Sequence, residues 1–212
     1  MALLLALLPA WSLGDAAREP ARTILVLGDS LSAGYGLANG EDWVTLLQAR
    51  LKSQGYRYRV VNASVSGETT TGGLARLPRA LTLHRPSIVI LELGGNDGLR
   101  GLPLETSRRN LDNLVIAAQA AGAKVLLLGM KIPPNYGPRY SAGFERMFRE
   151  VAARHRVAFE PFFLDKVALV PGMMQDDGLH PTAPAQPVML ATVWPVLLPL
   201  LGSPVARALA KP

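Results

Sequence analysis

The chain has no cysteine among its 212 residues. Disulfides, thiolate nucleophiles and cysteine-held zinc are therefore excluded together, while the compartment stays open because a well-cored domain needs no such staples. Histidine is almost as scarce, with three in the chain, so an imidazole base has to be His84, His155 or His180. Aromatic residues are 6% and charged residues 18%, and no basic block is interleaved with aromatics as a nucleic-acid stacking platform requires. The net charge of +6 falls mostly on arginines spaced singly along helical segments, such as Arg50, Arg76, Arg79, Arg108, Arg109, Arg146 and Arg149. Nucleic acid is not expected as a partner, and a mild attraction to anionic lipid surfaces is the most this charge implies. Neither G-x-G-x-x-G nor a Walker phosphate loop occurs. Internal repeats, low-complexity tracts and dividing linkers are also missing.

What is present is an ordinary globular balance, with 49% hydrophobic residues and enough length for one domain that buries roughly 70% of its unfolded surface. The first eleven residues, Met1 to Trp11, form an apolar run followed by the small residues of Ser12–Ala17. That run is too short for a membrane span and reads as a signal peptide over residues 1–17. A periplasmic or secreted setting is expected, although the run lacks the usual preceding lysine or arginine. The catalytic domain is expected over residues 22–201, with a tail over 202–212.

Across that domain, apolar strand-like runs at Thr23–Leu27, Tyr58–Asn62, Ile88–Leu93, Val125–Leu128 and Val157–Phe159 alternate with helical segments. These fall at Trp43–Ser53, Gly73–Leu83, Leu104–Ala121, Gly143–Arg154 and Ala185–Leu201. Pro187, Pro195 and Pro199 are expected to shorten or kink the last of them. Nearly all-apolar strands separated by helices predict an α/β chain, a single three-layer α/β/α domain around a parallel sheet. Ligands bind such sheets outside the strand carboxyl ends.

The loops at those ends carry the chemistry. Ile24-Leu25-Val26-Leu27-Gly28-Asp29-Ser30-Leu31 brings a buried strand into a serine, a nucleophile once a base takes its proton. His84 and His155 lie at helix ends, where a histidine commonly caps carbonyls. His180 instead lies in a loop between Leu179 and Pro181 with an acid three residues earlier, which makes it the candidate base. Asp177 is preferred over Asp176 as the carboxylate that orients it. Oxyanion donors are sought in the N–H of Ser30, the bare backbone N–H of Gly67 and the side-chain amide of Asn96. Asp29 and Asp97 read as loop scaffolding, and the Asn62-Ala63-Ser64 sequon as incidental.

These residues resemble the SGNH hydrolase (GDSL-type esterase) superfamily. Gly28-Asp29-Ser30-Leu31 is similar to its first block, Gly67 to the second, Gly95-Asn96-Asp97 to the third and Asp177-x-x-His180 to the last. Within it, the chain resembles the bacterial thioesterase I/protease I/lysophospholipase group, or arylesterases, over about Thr23 to Leu201. Supporting stretches are Val61–Thr69, Gly73–Pro78, Glu92–Gly101, Pro134–Gly137 and Met174–Gly178. The resemblance implies a flavodoxin-like sheet of five parallel strands, a periplasmic or secreted setting, and no metal or organic cofactor. It also implies Ser30 as nucleophile, His180 as base, Asp177 as its orienter, and Ser30, Gly67 and Asn96 as oxyanion donors.

The expected reaction is hydrolysis of esters and thioesters (acyl esters, acyl-CoA-type thioesters, lysophospholipids) through an acyl-enzyme, by a monomer. Since His180 must be neutral to act, activity should rise with pH through about 6–7. Leu74 and Leu77 after Gly67, Leu99 beside Asn96, and Ile132, Pro134 and Tyr136 of a later loop are candidates for an acyl groove. Two alternatives are a carbohydrate-deacetylating esterase on the same scaffold, with a more polar cleft, and a non-catalytic module binding phosphate or nucleotide.

Overall fold

A computed structural model describes residues 21–204, apart from the side chain of Pro134. The signal-peptide expectation at 1–17 and most of the tail at 202–212 lie outside the described residues. Five strands form one sheet: β1 (Arg22–Gly28), β2 (Tyr58–Asn62), β3 (Ile88–Glu92), β4 (Lys124–Leu128) and β5 (Ala158–Glu160). All pairings are parallel, in the order β2-β1-β3-β4-β5, as expected of a doubly wound sheet.

The strands form because their side chains can be covered on both faces: Ile24 to Leu27 and Val89 to Leu91 are wholly buried. On one face lie α3 (Thr70–His84), α5 (Leu104–Ala120) and α6 (Pro138–His155); on the other, α2 (Trp43–Ser53) and α7 (Gln186–Leu201) pack together. Two short helices, α1 (Ser30–Ala33) and α4 (Gly95–Leu99), start immediately after or near the ends of β1 and β3. The strand order reverses between β1 and β3, so a crevice opens above their carboxyl ends. Both short helices stand at that crevice.

The helix boundaries differ from expectation where caps decide them. α3 starts at Thr70 rather than Gly73 because the Thr69 hydroxyl accepts the Gly72 N–H at 3.3 Å. α6 starts at Pro138, whose fixed φ suits a first helical turn. The prolines of α7 do not shorten it. Pro187 sits in the first turn, and Pro195 and Pro199 lie on the exposed face, where water can satisfy the freed carbonyls. The opposite face buries Met189, Val193, Trp194 and Leu197. The apolar length of Ala183–Leu201 is that of a helix packed against α2, β4 and β5.

Candidate active site

β1 delivers the serine. Its last residue, Gly28, could not carry a side chain: a Cβ there would sit 2.5 Å from Glu92 Oε2 and 2.9 Å from Ser32 Cβ. Asp29 follows as the cap of α1, its carboxylate accepting the Leu31 N–H at 3.0 Å. Ser30 is thereby fixed as the first residue of a helix at the rim of the crevice.

His180 arrives from the loop before α7. Its Nε2 lies 2.9 Å from Ser30 Oγ and its Nδ1 2.6 Å from Asp177 Oδ2. The other oxygen of Asp177 accepts the backbone N–H groups of Leu179 at 2.8 Å and His180 at 2.9 Å. The bonds from the His180 ring and from these N–H groups hold the Asp177 carboxyl down to about 2. An ionised carboxylate only accepts, so Nδ1 must donate to it, which leaves Nε2 free to accept the serine proton. Asp176 points to an exposed position, as expected of the residue that does not serve the ring.

Two features that the sequence reading missed hold this loop against the nucleophile. The Gln175 amide donates to the Tyr35 carbonyl at 2.9 Å and to the Pro181 carbonyl at 3.0 Å, while its own N–H donates to the His180 carbonyl at 2.7 Å. The Tyr35 ring lies 4.3 Å from the His180 ring, tilted by 35°. Nothing in composition or spacing marks either residue, because both act across 140 residues of chain.

The next two loops carry the candidate oxyanion donors. Gly67 adopts φ +78°, a left-handed conformation that favours glycine, and its N–H has no partner among the described residues. Asn96, in α4, donates one N–H of its amide to Asp29 Oδ2 at 3.0 Å, which aims the side chain and leaves a second N–H. Asp97, as expected, is scaffolding: it accepts the Thr70 N–H and hydroxyl at 2.9 and 2.5 Å and the Ser107 hydroxyl at 3.0 Å. The Asn62 side chain is also occupied, donating to the Ser32 carbonyl at 2.7 Å.

Beneath the serine lies a second carboxyl that the sequence reading passed over. Glu92 is wholly buried. Its Oε2 accepts the Ser32 hydroxyl at 2.6 Å and the Asp29 N–H at 3.2 Å, and Oε1 has no partner among the described residues. Burial and the adjacent Asp29 push its carboxyl well above the usual carboxylate range. Burial also raises Asp29, to about 6, against the opposing pull of Leu31, Asn96 and His180. An acid inside the apolar run Ile88–Leu93 was the available signal.

The groove candidates divide. Leu77 is wholly buried in the core beneath α3 and cannot line an open groove, which corrects that expectation. Ile132 is 8% exposed and packs under Gly98, where a Cβ would meet it at 2.7 Å. Leu74, Leu99 and Tyr136 are half-buried. The Tyr136 hydroxyl donates to the Leu99 carbonyl at 2.7 Å and the Tyr140 hydroxyl to the Leu102 carbonyl at 2.7 Å, so two tyrosines tie this wall to the Asn96 loop. The side chain of Pro134 lies outside what is described. His155 does not cap a carbonyl with its ring: Nε2 pairs with Asp112 at 2.8 Å, in a cluster with Arg154 that clamps α6 to α5. Among the described residues, no group of three or more His, Asp or Glu side chains could hold a metal ion.

Comparison with known proteins shows the family. Residues 26–186 match the model of the GDSL-like lipase/acylhydrolase family. The chain is 56% identical to Esterase TesA of Pseudomonas aeruginosa over 181 residues, covering 85% of this chain and 90% of that protein. It is 43% identical to the thioesterase 1/protease 1/lysophospholipase L1 of Escherichia coli strain K12 over 182 residues, 86% of each. The crystal structure of the psychrotrophic esterase EstA from Pseudoalteromonas sp., inhibited by monoethylphosphonate, superposes with a TM-score of 0.81 at 42% identity, covering 86% of this chain and all of that one.

Proposed function

The chain belongs to the GDSL-like lipase/acylhydrolase family, and from that premise we propose that it is a serine hydrolase cleaving carboxylic esters and thioesters through an acyl-enzyme. The observation that carries this reading is the line from Asp177 through His180 to Ser30, at 2.6 and 2.9 Å.

In the first half-reaction Ser30 Oγ attacks the substrate carbonyl as its proton passes to His180 Nε2. Asp177 holds the ring in the accepting tautomer and stabilises the imidazolium. Negative charge developing on the carbonyl oxygen is met by the N–H groups of Ser30 and Gly67 and the remaining amide N–H of Asn96, each typically worth about 2.7–4 kcal/mol. His180 then protonates the leaving alcohol or thiol. Water repeats the sequence on the acyl-serine, and the serine is restored. No metal or organic cofactor takes part.

Acyl esters, acyl-CoA-type thioesters and lysophospholipids are the substrate class, supported by the names of the relatives and by the half-buried Leu74, Leu99 and Tyr136 around the site. Tyr35, Val65 and Leu179 are exposed beside the serine loop and its neighbours, a rim suited to passing contact with a lipid surface. The protein acts as a monomer in the periplasm or outside the cell, a setting supported by the apolar run and small residues of its first seventeen positions.

The test is hydrolysis of p-nitrophenyl esters from acetyl to palmitoyl by wild type and Ser30→Ala. Turnover is expected to peak at medium or long chains and to vanish in the variant. An optimum confined to acetyl would favour the carbohydrate-deacetylating alternative, and full activity in Ser30→Ala would overturn the serine mechanism.

A further inference from the structure

Arg100 is tied to both loops that carry the candidate oxyanion donors. Its backbone N–H donates to the Asn96 carbonyl at 3.1 Å, and its guanidinium Nη2 donates to the Gly67 carbonyl at 3.0 Å. A Cβ on Gly67 would lie 3.8 Å from that same nitrogen. The guanidinium therefore stands against Gly67 itself, within roughly two residue lengths (~7 Å) of the Gly67 N–H. A guanidinium has five N–H donors, and one is occupied here. Arg76, Arg108, Arg146 and Arg154 each pair with a carboxylate, whereas Arg100 pairs with none among the described residues. It is exposed, so the Gly67 carbonyl and the backbone turn, not burial, hold an uncompensated positive charge at the rim of the reaction centre.

We propose that Arg100 is the anion-binding residue of this site, favouring substrates that carry a phosphate or carboxylate a few atoms from the scissile carbonyl. The planar fork that remains free matches either group, and the separation is inside the screening length of about 8 Å at physiological salt. The anion can belong to the leaving group, as in a glycerophosphate, or to the far end of a short acyl chain. The proposal rests on the hydrolase reading above.

The full chain is compared with Arg100→Gln and Arg100→Lys on two matched pairs of substrates. One pair is 1-octanoylglycerol and 1-octanoylglycerol 3-phosphate, which place the charge on the leaving group. The other is p-nitrophenyl pentanoate and mono-p-nitrophenyl glutarate, which place it on the acyl chain. For one pair, the ratio of kcat/KM on the charged member to that on the neutral member is expected to fall about tenfold in Arg100→Gln, mainly through KM, consistent with loss of a charge-assisted hydrogen bond. Arg100→Lys should restore part of the ratio, and the pair affected identifies the source of the anion. A ratio unchanged in Arg100→Gln for both pairs, with any loss shared equally by neutral and charged esters, would overturn the proposal and leave Arg100 as a brace for Gly67. Ser30→Ala separates the two levels: if it still hydrolyses the neutral esters, the hydrolase reading itself fails.

Discussion

Asp29 is next to the nucleophile in sequence yet performs none of the proton transfer. Its carboxylate holds the serine turn through Leu31 and aims the Asn96 amide, and these bonds require it to be buried at 2% exposure. The consequence is measurable. The Asp29 carboxyl titrates at about 6 in the folded chain against about 3.9 when unfolded. Between those values the folded chain keeps a proton that the unfolded chain has lost, so stability falls as pH rises through about 6, by up to ~3 kcal/mol. Glu92 is shifted in the same direction, whereas Asp177, held at about 2, acts only in strong acid. The Tm contribution of Asp29 should therefore fall between about pH 4 and pH 6, so Tm should fall more, or rise less, across that window in wild type than in Asp29→Asn; equal slopes in the two proteins would contradict this. A second residue-scale expectation concerns Asp177→Asn, which removes the acceptor that sets the His180 tautomer. Its kcat should fall by about 10³–10⁴-fold, while its circular dichroism matches wild type. A loss below tenfold would argue against that role. Ser30, Gly67, Asn96, Asp177 and His180 could be named as candidates from the sequence because each lies just after a strand or before the last helix, where its residue type is chemically unusual. Gln175 and Tyr35 could not, since they meet across 140 residues of chain, and Glu92 showed only as an acid inside an apolar run, its role set by a contact 60 residues away.

The strands were legible because burial on both faces leaves an almost unbroken apolar run, and β2 and α2 fall where the pattern placed them. α1 and α4 were not, because four or five residues are too few to show helical periodicity. Both are held instead by tertiary bonds at the ends of β1 and β3. The Gly72-Gly73 pair lies in the first turn of α3, where a Cβ on Gly73 would meet Leu93 Cδ1 at 2.3 Å. Those glycines serve close packing. The same logic at the end of β1 gives an expectation for Gly28→Ala. The new methyl would press on Glu92 Oε2 and Ser32, so the variant should lose about 1–3 kcal/mol in urea unfolding. Its turnover should also fall, because the serine turn must shift. A variant as stable and active as wild type would show that the strand end is looser than its contacts imply.

At the scale of the whole molecule, the sheet order does most of the functional work. Placing β1 between β2 and β3 brings residues 30, 67 and 96 to one crevice, and the loop before α7 carries 177 and 180 across to it. The alternation of strands and helices foretold a parallel sheet, but an alternating pattern alone does not state which strands are neighbours. The resemblance to a flavodoxin-like sheet of five parallel strands supplied that constraint. If the domain spans residues 22–201 and residues 1–17 are an export signal, as the sequence leads one to expect, a chain lacking residues 1–17 should keep the Tm and the esterase kcat/KM of the full chain. A lower Tm would mean that those residues belong to the fold.

In the proposed mechanism Ser30 becomes covalently acylated with His180 as its base. Intact-mass and peptide mass spectrometry after reaction with a p-nitrophenyl alkylphosphonate tests it most directly, because the phosphonyl group mimics the tetrahedral intermediate and stays on the nucleophile. One phosphonyl group per chain is expected, on the peptide containing Ser30, with labelling slowed in His180→Ala and absent in Ser30→Ala. A stable adduct on any other residue, or inhibition that leaves Ser30 unmodified, would contradict the account.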